Sequence, residues 1–367
     1  MSELIQIPRS EAPRVSIVIP SAADPHLLFA CLRSLERHLP ASVPTETIVI
    51  LDGAPAGAAA AVEAAAPGAR VVASSVRLGL ARSGNRGRRF ARGDFIALLH
   101  DDSEIEAGWL EALLAAAGSH PEAAAFGGLI LFPDGTPQTA GVILFRNGAA
   151  APPWTGAPPP AESFDRPRAV DFCASNALLV RTEAWDAAGG LDERFFPAYF
   201  VDADLAMGLR EAGWSVFFEP RARNRHRRGG SSRKVFREWV SARNRAVFCA
   251  KWSEALAAHE PWDGGSPPSM VRALERAEVH AARLAVRADL RAPGTPMPAA
   301  EAAQEERRSL EQDLALHRDY ARSLDAEGAA LQSLLWWRIY LRLLPALKPL
   351  RAALRWLSRP GSSSRTG

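Results

Sequence analysis

The apolar run DFIALLH (94–100) ends on two adjacent carboxylates, Asp101 and Asp102. Paired acids in that place suit a hard divalent cation, which in turn neutralises a diphosphate. A local reading competes: Ser103 and Glu106 have capping-box spacing, so the acids could decorate a helix start. Further along, YFVDADL sets Asp202 and Asp204 two residues apart near a predicted helix start. Either could cap that helix; the chemical reading is one general base held in a cleft, with the second carboxylate fixing nearby backbone or acceptor groups. His226, inside RNRHRRGGSS, is a solvated histidine unless the fold brings it to Asp102. There, a His with carboxylates completes a site for manganese or magnesium. Asp52 closes TIVILD before Gly53, so it is either a turn residue or an acceptor for a base N–H or ribose hydroxyl.

Something must position these groups. The first hundred residues alternate apolar runs with amphipathic stretches, which predicts strands at 15–20, 47–52, 70–74 and 94–100, and helices at 25–38, 56–66 and 79–91. Continuous apolar strands separated by helices indicate an α/β fold whose parallel sheet is covered on both faces, with ligands at the carboxyl ends of strands. That rule puts Pro20, Asp52, Asp101 and Asp102 at one edge. The second half predicts strands at 123–131, 141–145, 170–180 and 214–220, a helix over 201–213, and a helix over 234–252 that ends the globular core. Phe236, Trp239 and Phe248 fit the core face of that last helix.

A length of 367 residues suggests about two folded units, and 47% hydrophobic with 23% charged residues excludes wholesale disorder and a small disulfide scaffold. The net charge of +3 hides two basic surfaces: eleven basic residues against Glu238 between Arg221 and Lys251, and seven against no acid from Leu334 onward. Almost all are arginines, whose forks suit phosphate where they cluster, although a solvated basic face is the simpler reading. Cys31, Cys173 and Cys249 lack metal-type spacing, which points to a reducing compartment. Without a signal-like start or a transmembrane run, the expected location is cytoplasmic.

Beyond Trp262, GGSPP and APGTPMP are linker signals, giving a body at 1–255, a linker with a helix at 256–300 and a helical extension at 301–360. Leu310, Leu324 and Leu331 recur at multiples of seven, a weak seam that could pair two copies. The tail 334–358 mixes Trp, Leu and Ile with Arg and Lys; it suits either a membrane interface or packing on protein.

Taken in order, VSIVIPSAADPHLLFACLRSL, TIVILDGAP, LGLARSGNRGRRFARGDFIALLHDDSEIEAGWLEAL and CASNALLVRTEAWDAAGGLDERFFPAYFVDADLAMGLREAGWSVFFEPRARNRHRRGGSS resemble the family-2 glycosyltransferases of GT-A fold, in their bacterial rhamnosyltransferase-like and galactofuranosyltransferase-like branch. The resemblance spans roughly 14–250. It implies a Rossmann-like nucleotide-sugar-binding sheet, a nucleotide-sugar donor and a glycan or lipid-linked glycan acceptor. It implies donor binding by Pro20, Asp52, Arg82, Asn85 and Asp101. A divalent Mn2+ or Mg2+ would be held by Asp102 and His226, Asp202 would be the base of an inverting transfer, and Asp204 would stand on the acceptor side. His100 opens the diacid motif where relatives often have Asn or Asp, a departure expected to matter little, and Val201 stands where many relatives have a further acid.

Two other classes stay in view. A nucleotidyltransferase also pairs acids on a parallel sheet, but PSAADPHLL lacks the glycine-rich loop after the first strand. A catalytically silent scaffold recruiting partners to a membrane is the other. Nucleic-acid binding is not expected, because the aromatic residues among the arginines fit a helix core.

Overall fold

The computed structural model describes residues 4–22, 24–152, 165–227, 234–265 and 267–288. The extension expected over 301–360, its basic tail, and part of the Pro-rich and Arg-Gly loops lie outside the described residues.

In the first half, strands and helices alternate: β1 (Val15–Ser21), α1 (Pro25–His38), β2 (Thr45–Leu51), α2 (Ala58–Ala65), β3 (Arg70–Ala73), α3 (Gly79–Phe90) and β4 (Phe95–Leu99). Side chains leave a strand on opposite faces in turn. Val15, Ile17 and Ile19 therefore pack with Leu28, Leu32 and Leu35 of α1, while Val18 packs with Ile48, Ile50, Ile96 and Leu98 under α3. With both faces buried, the strands read as unbroken apolar runs. Each fully buried Val, Ile or Leu contributes about 1.5–3 kcal/mol. Asp24 caps α1 by accepting from the His26 amide at 2.9 Å, and Pro25 opens the helix. Helix α3 lies so close to β1 that a Cβ at Gly87 would meet Val18 Cγ1 at 2.2 Å.

The second half runs β5 (Ser103–Ile105), α4 (Trp109–Ser119), β6 (Ala123–Leu131), β7 (Pro137–Thr139), β8 (Ile143–Leu144), β9 (Ala150–Ala151), β10 (Arg168–Val170), β11 (Ala177–Arg181), α5 (Thr182–Ala187), α6 (Val201–Glu211), β12 (Ser215–His226), α7 (Lys234–Lys251), α8 (Ser253–Ala257) and α9 (Pro267–Ala288). The main sheet has the order β10-β12-β6-β11-β4-β1-β2-β3. Strands β4, β1, β2 and β3 are parallel neighbours, and β11 runs antiparallel between β4 and β6.

Several expectations are corrected. Ser103 is in a strand and α4 begins at Trp109 after Gly108, so the Ser103–Glu106 pair is no capping box. The single strand expected over 170–180 is two, β10 and β11, and β12 extends to His226 rather than stopping at 220. The core does not end at α7. Met270, Ala273 and Ala277 of α9 are buried, the first two in a cluster with Ile143, Phe145 and Ala151. Arg276 of α9 reaches Asp171 at 2.7 Å. Phe248 is fully buried, but Phe236 and Trp239 are 47% and 62% exposed, so they are no part of a core face.

Candidate active site

The chain leaves β1 towards β2 and β3, then returns to β4 on the other side of β1. At such a reversal the carboxyl ends of the two central strands flank a crevice, where open α/β sheets bind ligands. Pro20 and Ser21 end β1 there, and His100, Asp101 and Asp102 follow β4.

Asp101 fastens the two strand ends together: its Oδ2 accepts from Ser21 Oγ at 2.8 Å and from the Ala22 amide at 3.0 Å. Burial nonetheless pushes its carboxyl up to about 6. Asp102 meets β12 instead. Antiparallel pairing sets His226 opposite Ser103, and the Arg227 amide donates to the Asp102 carbonyl at 3.0 Å. His226 Nε2 then lies 3.3 Å from Asp102 Oδ1. This meets the condition under which His226 becomes a metal candidate. A ring nitrogen of His100 completes the group, with all three ligand-capable atoms within 4.8 Å of one another.

The donor set fits a cation. Gln138 turns its Oε1 to His226 Nδ1 at 2.8 Å while its Nε2 faces the His226 carbonyl at 3.4 Å. The carbonyl fixes the amide orientation, so Nδ1 donates to Gln138 and Nε2 is the ring nitrogen turned to the carboxylate oxygen. Asp102 Oδ1 is itself buried with no hydrogen-bond partner among the described residues. A ring nitrogen and a buried carboxylate oxygen at this separation are satisfied by a proton or by a cation between them. Burial lowers His100 to about 4 against the pull of Asp102, so its ring is neutral near pH 7 and able to ligate. Burial raises the Asp102 carboxyl, but His226 and His100 more than offset it and leave the group below its ordinary value.

Asp202 sits in the first turn of α6. Its Oδ2 accepts from the Ser175 amide at 3.3 Å and its Oδ1 from the Ala203 amide at 3.0 Å. Ser175 Oγ lies 3.4 Å from His100 Nε2, so one residue touches both Asp202 and the His–Asp–His group. Burial raises the Asp202 carboxyl despite these amides, which favours proton uptake. The chain enters α6 through Tyr199 and Phe200 at φ 71° and 66°, a left-handed region that bulky residues avoid. Strain of this kind costs on the order of 1–3 kcal/mol per residue and persists only where its surroundings over-determine it. Asn244 of α7, fully buried, supplies that: its amide nitrogen points at the carbonyls of Ala198 (2.7 Å), Tyr199 (3.1 Å) and Phe195 (3.2 Å).

Other candidate residues have structural partners. Asp52 caps α3, accepting from the Leu78 amide and from the Gly79 amide at 3.0 Å. Asn85 clamps the backbone of Leu191, accepting from its amide at 2.9 Å and donating to its carbonyl at 2.8 Å, and Arg82 pairs with Glu193 at 2.9 Å. Asp204 follows Asp202 by two residues, roughly 200° around the helix. It faces α7, where Lys251 Nζ lies 2.8 Å from Oδ1 and Trp252 Nε1 donates at 2.7 Å. With Asp192, Gly190 and Glu211 these residues line a cavity of about 390 Å³. The structure thus sets Asp204 apart from the His–Asp–His group. In the arginine cluster, Arg221 pairs with Glu219 at 2.8 Å, Arg225 with Glu106 at 2.8 Å and Arg227 with Glu104 at 3.8 Å.

The family model "Glycosyl transferase family 2" matches residues 16–186. The chain carries a family-2 glycosyltransferase domain. N-acetylglucosaminyl-diphospho-decaprenol L-rhamnosyltransferase of Mycobacterium tuberculosis (strain CDC 1551 / Oshkosh) is 28% identical over 256 residues, covering 63% of this chain and 81% of that protein. The O-antigen biosynthesis protein RfbC of Myxococcus xanthus is 29% identical over 180 residues, 47% of this chain and 13% of that much longer protein. Among solved structures, GalNAc-T7 with UDP, GalNAc and Mn2+ superposes with a TM-score of 0.53 at 15% identity. The likeness covers 68% of this chain and about half, 49%, of the other, and it shows the shared GT-A fold. A glycosyltransferase domain displaces the nucleotidyltransferase reading.

Asp202 and His226 lie beyond the matched stretch of the glycosyltransferase domain; β12 and α6 return them to it. Sequence reasoning set His100 aside as a departure of little consequence and passed over Ser175, Gln138 and Asn244. Each acts through a partner distant in the chain; of the last three, only Ser175, in the CASN stretch, lay within a quoted motif.

Proposed function

We propose that the chain moves a sugar from a UDP- or dTDP-sugar to a hydroxyl of a glycan or lipid-linked glycan, with inversion, in cell-surface polysaccharide synthesis. The observation that carries this is the convergence of Asp102, His226 and, through Ser175, Asp202 at the carboxyl edge of the parallel strands. Asp102 and His226 would hold Mn2+ or Mg2+, which when bound supplies positive charge against the departing diphosphate. Asp202 accepts the acceptor hydroxyl proton on its carboxylate. The hydroxyl oxygen bonds to the anomeric carbon as the carbon–oxygen bond to the diphosphate breaks on the opposite face. The Ser175 amide holds Asp202 in aim. Pro20, Asp52 and Asp101 stand on the nucleotide side of the crevice, and Asn85 with Arg82 secures α3 behind it.

The mycobacterial relative is named for a diphospho-decaprenol acceptor, which supports a lipid-linked substrate. No helix among the described residues is long and apolar enough to cross a membrane. A lipid-linked acceptor would bring the protein to the inner membrane face, with residues 334–358 as the contact.

The test is nucleoside diphosphate release from a panel of nucleotide sugars, with manganese or with chelator, in the presence of a lipid-linked glycan fraction. Release is expected with metal and acceptor from the intact protein alone. No release from any donor, or equal release from Asp202→Asn, rejects the proposal.

A further inference from the structure

Helix α7 is apolar on two sides, and the body covers only one of them. Val240 and Phe248 are buried on the inner side. Val235, Phe236, Trp239, Ala242 and Ala246 recur at helical spacing on the other side and are exposed. The rings of Phe236 and Trp239 lie 6.4 Å apart, tilted by 31°. Among the described residues eight large apolar side chains are exposed, and three of them, Val235, Phe236 and Trp239, fall within these first turns of α7. Scattered exposed apolar residues need no explanation, whereas a contiguous face of them marks a contact surface.

We propose that this face of α7 docks on an anionic lipid surface, beside the turn that aims Asp202. The inference deepens the reading of a lipid-linked acceptor and rests on it for the orientation of the site. Charge selects the occupant. Helix α7 carries Lys234, Arg237, Arg243, Arg245 and Lys251 against one acid, Glu238. A second copy of the face brings like charge to it, and so does this chain's own tail, which has seven basic residues and no acid from Leu334 onward. Anionic headgroups complement that charge while Phe236 and Trp239 enter the acyl boundary. Single-stranded nucleic acid would match the charge, but Val235, Ala242 and Ala246 offer its bases no ring to stack on. The same helix is tied to the site: Arg243 donates to the Phe196 carbonyl at 3.0 Å, and Asn244 grips the carbonyls of Ala198 and Tyr199. Trp239 precedes Asn244 by five residues, about 7.5 Å of helix. Docking here sets the Asp202 turn near headgroup depth, where the hydroxyl of a lipid-linked acceptor emerges.

The experiment is flotation of the full chain with vesicles of phosphatidylcholine alone or of phosphatidylcholine with phosphatidylglycerol. The wild type is expected to float with the anionic vesicles only and to be released by salt. Phe236→Ser/Trp239→Ser should lose roughly tenfold in partitioning. Its melting temperature, and its release of nucleoside diphosphate with a water-soluble acceptor, should match the wild type. Equal partitioning of wild type and variant, or equal flotation with neutral vesicles, overturns the proposal. A wild-type dimer in sedimentation that becomes a monomer in the variant assigns the face to a second copy and overturns it as well. So does a variant that loses binding to a single-stranded oligonucleotide while still floating with vesicles. If the double variant fails to fold, Val235→Asp carries the same comparison. Nucleoside diphosphate release is scored apart: its absence with every donor rejects the transfer reading, and the vesicle comparison still decides the docking face.

Discussion

Asp171 and Asp102 both sit among cationic or basic partners, and they are opposites. Asp171 is fully buried and saturated: Arg210 and Arg276 lie at 2.6 and 2.7 Å, and the Leu144 amide donates at 2.7 Å. Burial works against its charge, but the two guanidinium groups hold its carboxyl down at about 2. Asp102 has two imidazoles beside it, yet one oxygen accepts nothing among the described residues. The first centre is complete and ties α9 to the sheet. The second keeps a buried oxygen without a hydrogen-bond partner among the described residues. A satisfied ion cluster marks scaffold, and an unsatisfied one of similar composition marks a place where a ligand belongs.

The sharpest separation comes from Asp202→Asn, expected to lower kcat by about 10² to 10⁴ while leaving the melting temperature unchanged. A matching loss of stability would mean that Asp202 belongs with the scaffold. The converse variant, Arg276→Met, strands Asp171 with one partner fewer and should cost about 3–5 kcal/mol in denaturant unfolding, with kcat of the folded fraction retained. Intact stability there would erase the distinction from the other side.

The two centres also predict different acid limits. The raised Asp202 must be ionised to accept a proton, so the rate should fall about tenfold per pH unit below a midpoint higher than the ordinary Asp value of about 3.9. Asp171 has a depressed folded-state value, so its stabilisation is present above about pH 3.9 and is lost as pH falls towards 2. Between the two limits the protein should be folded and inactive, recovering fully on return to neutral pH. Coincident loss of rate and of circular dichroism would break the comparison.

Smaller effects probe the margins. Asp204→Asn weakens the Lys251 and Trp252 contacts and should lower stability by about 1–3 kcal/mol without changing the acceptor KM. A KM increase would return Asp204 to the acceptor side. Arg221→Ala takes the guanidinium from the buried Glu219 carboxylate, which keeps only the residue 221 amide, and should lower stability by about 1–3 kcal/mol with the rate unchanged.

The parallel half was legible because its rule is local: apolar runs with helical spacing between them gave β1 to β4 and α1 to α3 nearly in place. The second half mixes strand directions, so β10 and β11 fused into one apparent run, and the last residues of β12 read as loop because Arg223, Asn224, Arg225 and His226 are polar, although Asn224 is fully buried between β5 and β6. Asp102, Asp202 and His226 were singled out by residue type, but each also had a local reading as cap or solvated residue, and their roles came from the resemblance. His100 was discounted because its meaning depends on β12 arriving from more than a hundred residues away. Asn244 could not be seen at all: an asparagine amid arginines announces nothing until three carbonyls are found around it.

Those three carbonyls have a consequence for rebuilding the enzyme. Because the 195–199 turn aims Asp202 and is itself gripped from α7, the stretch from Phe195 to Asn244 behaves as one cassette. A chimera that takes its α6 from one parent and its α7 from another separates the grip from the turn and should misaim the base. The segment between β6 and β10 lies outside that grip but carries Gln138, which sets the His226 ring, and Ile143 and Phe145, which pack on α9, so a graft there must keep these contacts.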